Sequence, residues 1–183
     1  MRQRSPAGQI GRGLQVVAIA AMALACAGEA GETRASRFQP LAVGEPAPLY
    51  ATALLGGDSA RVGPGEPLTL LNVWATWCIP CEKELPDLEA LHAEYGPRGL
   101  RILGVSVDAG APASVVSYVE ERSLSFLIGH DPDERVRMAY QTIGVPESFL
   151  IGPDGRLLWR HIGPLPAGGG SALRAAIDST LGG

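Results

Sequence analysis

Two cysteines three positions apart, Cys78 and Cys81, carry the clearest chemistry in this chain; they lie within LNVWATWCIPCEKELP, residues 71–86. A continuous apolar run, residues 68–75, leads into the first. A helical pattern starts at the second: Leu85, Leu88, Leu91 and Tyr95 share one face, and Gly96-Pro97 ends it. Cys78 is therefore expected at a helix N-terminus, where unpaired amides and the helix dipole stabilise a thiolate. The spacing brings Cys81 to the same face one turn later, within reach of a disulfide. Pro80 suits a first helical turn because it has no amide proton to lose. Such a motif opens and closes a disulfide by thiolate exchange, with Cys78 attacking and Cys81 resolving. Zinc is a poorer reading: it needs four ligands, and His92, His130 and His161 are isolated, with no second cysteine pair. A purely structural disulfide closing so small a loop would gain little entropy.

Glu84 follows Cys81 by three residues on the same helix face. Helical side chains lean toward the preceding turn, which aims this carboxyl back over Cys81, where it could take or return a proton. The competing reading is a solvated surface acid like Glu82 and Glu89, and spacing alone leaves both open. Trp77 reads as part of the site's rim and Trp74 as packing. Tyr140, Phe126 and Phe149 read as core, and His130 and His161 as structural or surface groups.

Several elements must position this motif. Residues 68–75 (LTLLNVWA) form a mostly apolar run, as a strand buried on both faces does, and 100–107 (LRILGVSV) read as a second buried strand. A helix starting at Pro112, with Val115, Val116 and Val119 on one face, separates them from a short third strand at 125–128. Asp131-Pro132-Asp133-Glu134 has the form of a helix start. Residues 147–151 and 157–162 flank the turn Gly152-Pro153-Asp154-Gly155-Arg156, a hairpin signal, and a last helix spans 171–181 with Leu173 and Ile177 apolar. Residues 41–67 contain a short hairpin around Gly56-Gly57-Asp58. The order β-α-β-α-β-α-β-β-α predicts an α/β domain whose parallel strands are extended by an antiparallel closing pair.

The N-terminus has a different character. Arg2, Arg4 and Arg12 precede Cys26 and no acid does. Residues 14–27 (LQVVAIAAMALACA) are apolar except for Gln15; the run is short for a membrane span of about 20 residues and fits the apolar core of an export signal. Ala23-Leu24-Ala25 is a cleavage pattern leaving Cys26 first, and Ala25-Cys26-Ala27 competes with it. Small residues before Cys26 also resemble a bacterial lipoprotein box, with Leu24 one place late. A lipidated Cys26, a released soluble domain and an uncleaved anchor remain open, and each puts the domain outside the cytoplasm. The organisation expected is a signal peptide or membrane anchor at 1–26, a polar linker at 27–40 and one domain at 41–183. Beyond Cys26 there are 12 basic and 19 acidic residues, a net charge of −7, which argues against nucleic acid as a partner.

Trp77-Cys78-Ile79-Pro80-Cys81 with Pro86 resembles the active-site motif of the thioredoxin fold, and Val145-Pro146 resembles that family's cis-proline beside the disulfide. More narrowly, Asn72-Val73-Trp74-Ala75-Thr76-Trp77-Cys78, Glu84-Leu85-Pro86 and Gly144-Val145-Pro146-Glu147-Ser148-Phe149-Leu150-Ile151 resemble the TlpA/ResA group of membrane-tethered, extracytoplasmic thioredoxin-like proteins. The likeness covers about residues 41–181; Ser148 departs from the usual Thr. It implies a thioredoxin fold with a central mixed sheet flanked by helices, an N-terminal extension and an inserted α/β element. It further implies a thiol–disulfide oxidoreductase without cofactor or metal, reducing protein disulfides and in some members serving cytochrome c maturation, with apocytochrome c as substrate. A membrane thiol reductase of the DsbD/CcdA type supplies the electrons in such systems. By the same resemblance Trp77, Val145 and Pro146 contact substrate. Glu84 would replace the buried Asp that thioredoxin has where this chain has Asn72. A peroxiredoxin-type peroxidase is a second reading, since Val43-Gly44-Glu45-Pro46-Ala47-Pro48 also opens those proteins; their Thr four places before the reactive cysteine is Trp74 here. A non-catalytic binding module is a third, and the intact Cys78–Cys81 pair argues against it.

Overall fold

The computed structural model describes residues 40–182. The expected signal segment at 1–26, with Cys26, and the linker up to residue 39 lie outside the described residues. No helix among the described residues is long and apolar enough to cross a membrane.

Among the described residues, seven strands and four α-helices follow the predicted order. A hairpin of β1 (Tyr50–Ala53) and β2 (Ser59–Val62) forms a separate antiparallel pair. The main sheet has the order β5-β4-β3-β6-β7. Its centre is β3 (Thr69–Trp74), all six residues of which are buried, the polar Thr69 and Asn72 included. Parallel to β3 runs β4 (Arg101–Ser106), and parallel to β4 runs β5 (Leu127–His130). On the other side β6 (Glu147–Ile151) pairs antiparallel with β3, and β7 (Leu157–Ile162) closes the hairpin. The sheet is mixed because the connections from β3 to β4 and from β4 to β5 preserve strand direction, the one from β5 to β6 reverses it, and the tight turn from β6 to β7 reverses it again.

The longest helix, α1 (Ile79–Tyr95), buries Cys81, Glu84, Leu85, Leu88, Leu91 and Tyr95, the face its spacing forecasts, and begins two residues before Cys81. Fully burying each such leucine contributes about 1.5–3 kcal/mol. Helix α2 (Ala113–Glu121) fully buries Val115 alone among the three valines expected to line it; Val116 and Val119 are half-buried. Helix α4 (Ser171–Leu181) buries Leu173 and Ile177. A 3-10 turn, Ala167–Gly169, packs on α1: Gly169 has φ +79°, and a Cβ there would lie 2.9 Å from Leu91 Cδ1. Only glycine allows that approach, which brings the loop preceding α4 down onto α1.

Two boundaries differ from expectation. The third strand starts at Leu127, not Ser125, because Glu89 of α1 holds Ser125 through both its amide and its hydroxyl at 2.6 Å, leaving it in a loop. The helix expected at Asp131 is α3 (Arg135–Tyr140), beginning four residues later. Asp131-Pro132-Asp133-Glu134 is a turn that ends with Glu134 at φ +54°. The buried Asp131 carboxylate reaches over it to accept from Val136 N at 2.7 Å and Tyr50 Oη at 2.9 Å. Asp131 therefore caps the helix from a distance and ties it to β1.

Candidate active site

Strand β3 ends at Trp74, and Cys78 follows as the N-cap of α1 with an extended backbone, φ −90° and ψ 99°. Its Sγ accepts from Cys81 N at 3.2 Å, the place an N-cap oxygen would take. Cys78 and Cys81 form a disulfide with Cα atoms 5.2 Å apart. Cys78 is 4% exposed and Cys81 fully buried, so the helix-start position opens Cys78 to solvent less than its spacing suggests. Trp77 and Ile79 on either side are 66% and 68% exposed and surround the disulfide with apolar surface. Trp74, by contrast, is packed in the core.

The turn between β3 and Cys78 is held by a residue that sequence reasoning missed. Asp108, just past β4 and nearly buried, accepts from Thr76 N at 2.9 Å, Thr76 Oγ1 at 2.6 Å and Ser106 Oγ at 2.6 Å. Its own carbonyl lies 2.8 Å from His130 Nε2, at the end of β5. The C-terminal ends of three parallel strands are thus tied around one residue, two through its carboxylate and the third through its carbonyl. The available signal was an acid directly after a buried strand, where open α/β sheets place functional groups.

The Val145–Pro146 bond is cis. Because Glu147 lies opposite Val73, Pro146 falls level with Trp74, at the end of β3 that runs into Cys78. Pro146 is buried, Val145 half-buried and Ile143 exposed. The loop is anchored from behind: fully buried Glu147 accepts from Ile143 N at 3.0 Å and Arg160 Nε at 2.6 Å. Arg160 also donates to Leu41 O at 3.2 Å and Gln141 O at 3.4 Å. This buried ion pair joins the cis-proline loop to the N-terminal extension. Sequence reasoning missed it too, since Glu147 and Arg160 meet only through the β6–β7 register.

Glu84 is buried, which removes the surface-acid reading. Asn72 Nδ2 donates to its Oε1 at 2.8 Å and Leu165 N to its Oε2 at 2.7 Å. Burial raises its pKa from an ordinary 4.5 to about 7, the two N–H donors pulling down and nearby Asp87 pushing up. A carboxyl titrating near neutrality, three residues from the buried cysteine, is matched to both accept and return a proton. Asn72 also donates to Ser148 Oγ at 3.0 Å across the sheet. Neither contact was legible in the sequence. His161 faces Pro164 O at 3.0 Å and, like His130, has a structural partner. The arrangement places an N-capping cysteine, a buried cysteine one turn on and a buried carboxyl of raised pKa beneath an apolar rim.

The AhpC/TSA family model matches residues 44–160. The chain is 38% identical to the thiol-disulfide oxidoreductase ResA of Oceanobacillus iheyensis over 88 residues, spanning 48% of this chain and less than half, 45%, of that one. It is 31% identical to ResA of Bacillus cereus over 127 residues, 67% of this chain and 71% of the relative. Among solved structures, it superposes with TM-score 0.68 and 28% identity on a Chlorobium tepidum protein described as a thiol:disulfide interchange protein DsbE, covering 77% of this chain and 99% of the other. StoA from Bacillus subtilis shares the fold with TM-score 0.58 at 24% identity, over 72% of this chain and 96% of its own.

Proposed function

The chain belongs to the AhpC/TSA family, in its ResA-like branch of thiol–disulfide oxidoreductases, and from that premise we propose that it reduces protein disulfides outside the cytoplasm. The observation that carries this reading is the Cys78–Cys81 disulfide at the start of α1, with a buried carboxyl titrating at about 7 one turn further along. In the reduced protein the Cys78 thiolate attacks a substrate disulfide, forming a mixed disulfide and expelling one substrate thiolate. Glu84 takes the Cys81 proton, and the Cys81 thiolate attacks Cys78 Sγ, closing the Cys78–Cys81 disulfide and releasing the second substrate thiolate. Two electrons pass to the substrate. An external dithiol reductant then reverses the exchange, and Glu84 returns its proton to Cys81.

Trp77, Val145 and Pro146 are the proposed substrate contacts. Exposed Trp77, Ile79 and Ile143 supply the apolar area for an extended cysteine-containing segment, as the paired cysteines of apocytochrome c would present. The basic n-region and short apolar run before Cys26 support export, with the polar linker at 27–40 as tether to a membrane thiol reductase. The peroxidase reading lacks its threonine: Trp74 stands four before Cys78, and the nearby Thr76 hydroxyl is bound to Asp108. Equilibration against glutathione buffers tests the direction of electron flow. A reductant lies toward about −270 mV and an oxidant toward about −120 mV. A value at the oxidising end, or peroxide consumption without disulfide exchange, overturns the proposal.

A further inference from the structure

Asn72 is a costly residue at its position. It is fully buried on β3, and both its amide protons are committed, one to Glu84 Oε1 at 2.8 Å and one to Ser148 Oγ at 3.0 Å. Its Oδ1 is buried with no hydrogen-bond donor. An acceptor stripped of water and left unpaired is destabilising, and a leucine of similar size would avoid it. What the arrangement secures is orientation. With Ser148 Oγ accepting one amide proton, the other points at Glu84 and the carbonyl is turned away from the carboxylate. Ser148 sits directly opposite Asn72 in the β3–β6 register, so the clamp is built into the sheet and not into a loop.

We propose that Asn72 and Ser148 are a positioning pair that holds an N–H on Glu84 and so sets the pH at which that carboxyl loses its proton. The inference rests on the reading that Glu84 is the proton carrier for Cys81. Both carboxylate oxygens accept from an N–H, Oε1 from Asn72 and Oε2 from Leu165 N, so the ionised form is the one these partners fit. A protonated Glu84 accepts more weakly at its hydroxyl oxygen, which weakens one of these two bonds. The other groups around it supply no cation. On its own helix stand Cys81 and Asp87, the latter bound by Gly168 N at 2.8 Å. Strands β3 and β6 offer the neutral Asn72 and Ser148, and the loop before α4 only the Leu165 amide. On β7, His161 lies opposite Ser148 with its ring nitrogen on Pro164 O. Among the described residues Glu84 forms no ion pair, so the two N–H donors are what oppose desolvation.

The test is the titration of the Glu84 carboxyl in the full chain, followed by NMR on protein labelled with ¹³C at glutamate side-chain carboxyls, beside the pH profile of disulfide exchange with insulin. Asn72→Leu should move the Glu84 midpoint upward by about one pH unit, the size of one hydrogen bond to a charged group. Ser148→Ala should move it the same way by less, by freeing the amide to rotate. Ser148→Thr keeps the hydroxyl and should return the wild-type midpoint. If Asn72→Leu fails to fold, the Ser148→Ala and Ser148→Thr pair carries the same test. A midpoint unmoved in Asn72→Leu, or in Ser148→Ala where that variant decides, overturns the inference. A carboxyl midpoint that moves as expected without moving the exchange profile upholds the positioning pair and sinks the proton-carrier reading of Glu84.

Discussion

At Cys78 and Cys81 the backbone separates two chemically identical thiols. The first is an N-cap that sits over free amides, and the second is one turn inside the helix and fully buried. The proposed attack by Cys78 and resolution by Cys81 rest on that difference. Cys81→Ser should accumulate mixed disulfides with substrate protein, visible on non-reducing gels, and Cys78→Ser should not; trapping by the opposite variant reverses the assignment. Glu84 gives a second prediction at this scale. Its folded carboxyl titrates at about 7 against 4.5 when unfolded. The folded state therefore holds the proton more tightly. The stability this contributes is fully present below about pH 4.5 and is lost as pH rises through about 7, a change of about 3 kcal/mol across the window. In Glu84→Gln that slope should vanish. Urea unfolding of both proteins at pH 4.5, 6 and 8 checks it through their difference, and parallel curves would return Glu84 to an ordinary carboxyl.

The elements meet the site through two carboxylates. Asp108 gathers the ends of β3, β4 and β5, and its charged hydrogen bonds to Thr76 fix the turn that delivers Cys78. Asp108→Ala should cost about 2 kcal/mol and speed amide exchange at Thr76, Trp77 and Cys78 while the β6–β7 hairpin stays protected. Uniform loosening would mean that Asp108 supports the fold and not the turn. Glu147 does the corresponding work for the cis-proline loop through Arg160, an almost fully buried pair with 10% and 0% of the side chains exposed. Arg160→Met leaves the buried Glu147 carboxyl without its cation, and denaturant unfolding should register a loss of about 3–5 kcal/mol. A loss below about 1 kcal/mol, the range of exposed pairs, would contradict the assigned burial.

For the molecule as a whole, the thiol chemistry consumes electrons that the domain does not itself contain. A coil of about 14 residues spans roughly 20 Å, so under the proposed function a tether of the length of 27–40 would keep the domain at high effective concentration near a membrane-embedded donor. The full-length chain should accordingly sediment with membranes when expressed in a bacterial host. Recovery wholly in the soluble extracytoplasmic fraction, with Cys26 absent or unmodified, would make it a diffusing reductase.

The redox motif, the strand order and the hairpin were legible in the sequence because each depends on local pattern. Cys78-Ile79-Pro80-Cys81 lies between an apolar run and a 3.6-residue period, and Gly152-Pro153-Asp154-Gly155-Arg156 separates two strand-like stretches. Local pattern failed at 125–134, where the sequence has the form of a strand and a helix start but Glu89 and Asp131 draw the backbone into turns. The state of Glu84 was undecidable from spacing, since a helix face is buried or wet according to what packs on it. Here the loop brought down by Gly169 and the β3–β6 pair Asn72–Ser148 enclose the carboxyl. Asp108 with Thr76 and Glu147 with Arg160 are 32 and 13 residues apart in the chain. Strand pairing brings them together, and the positions of their charges therefore belong to the tertiary structure alone.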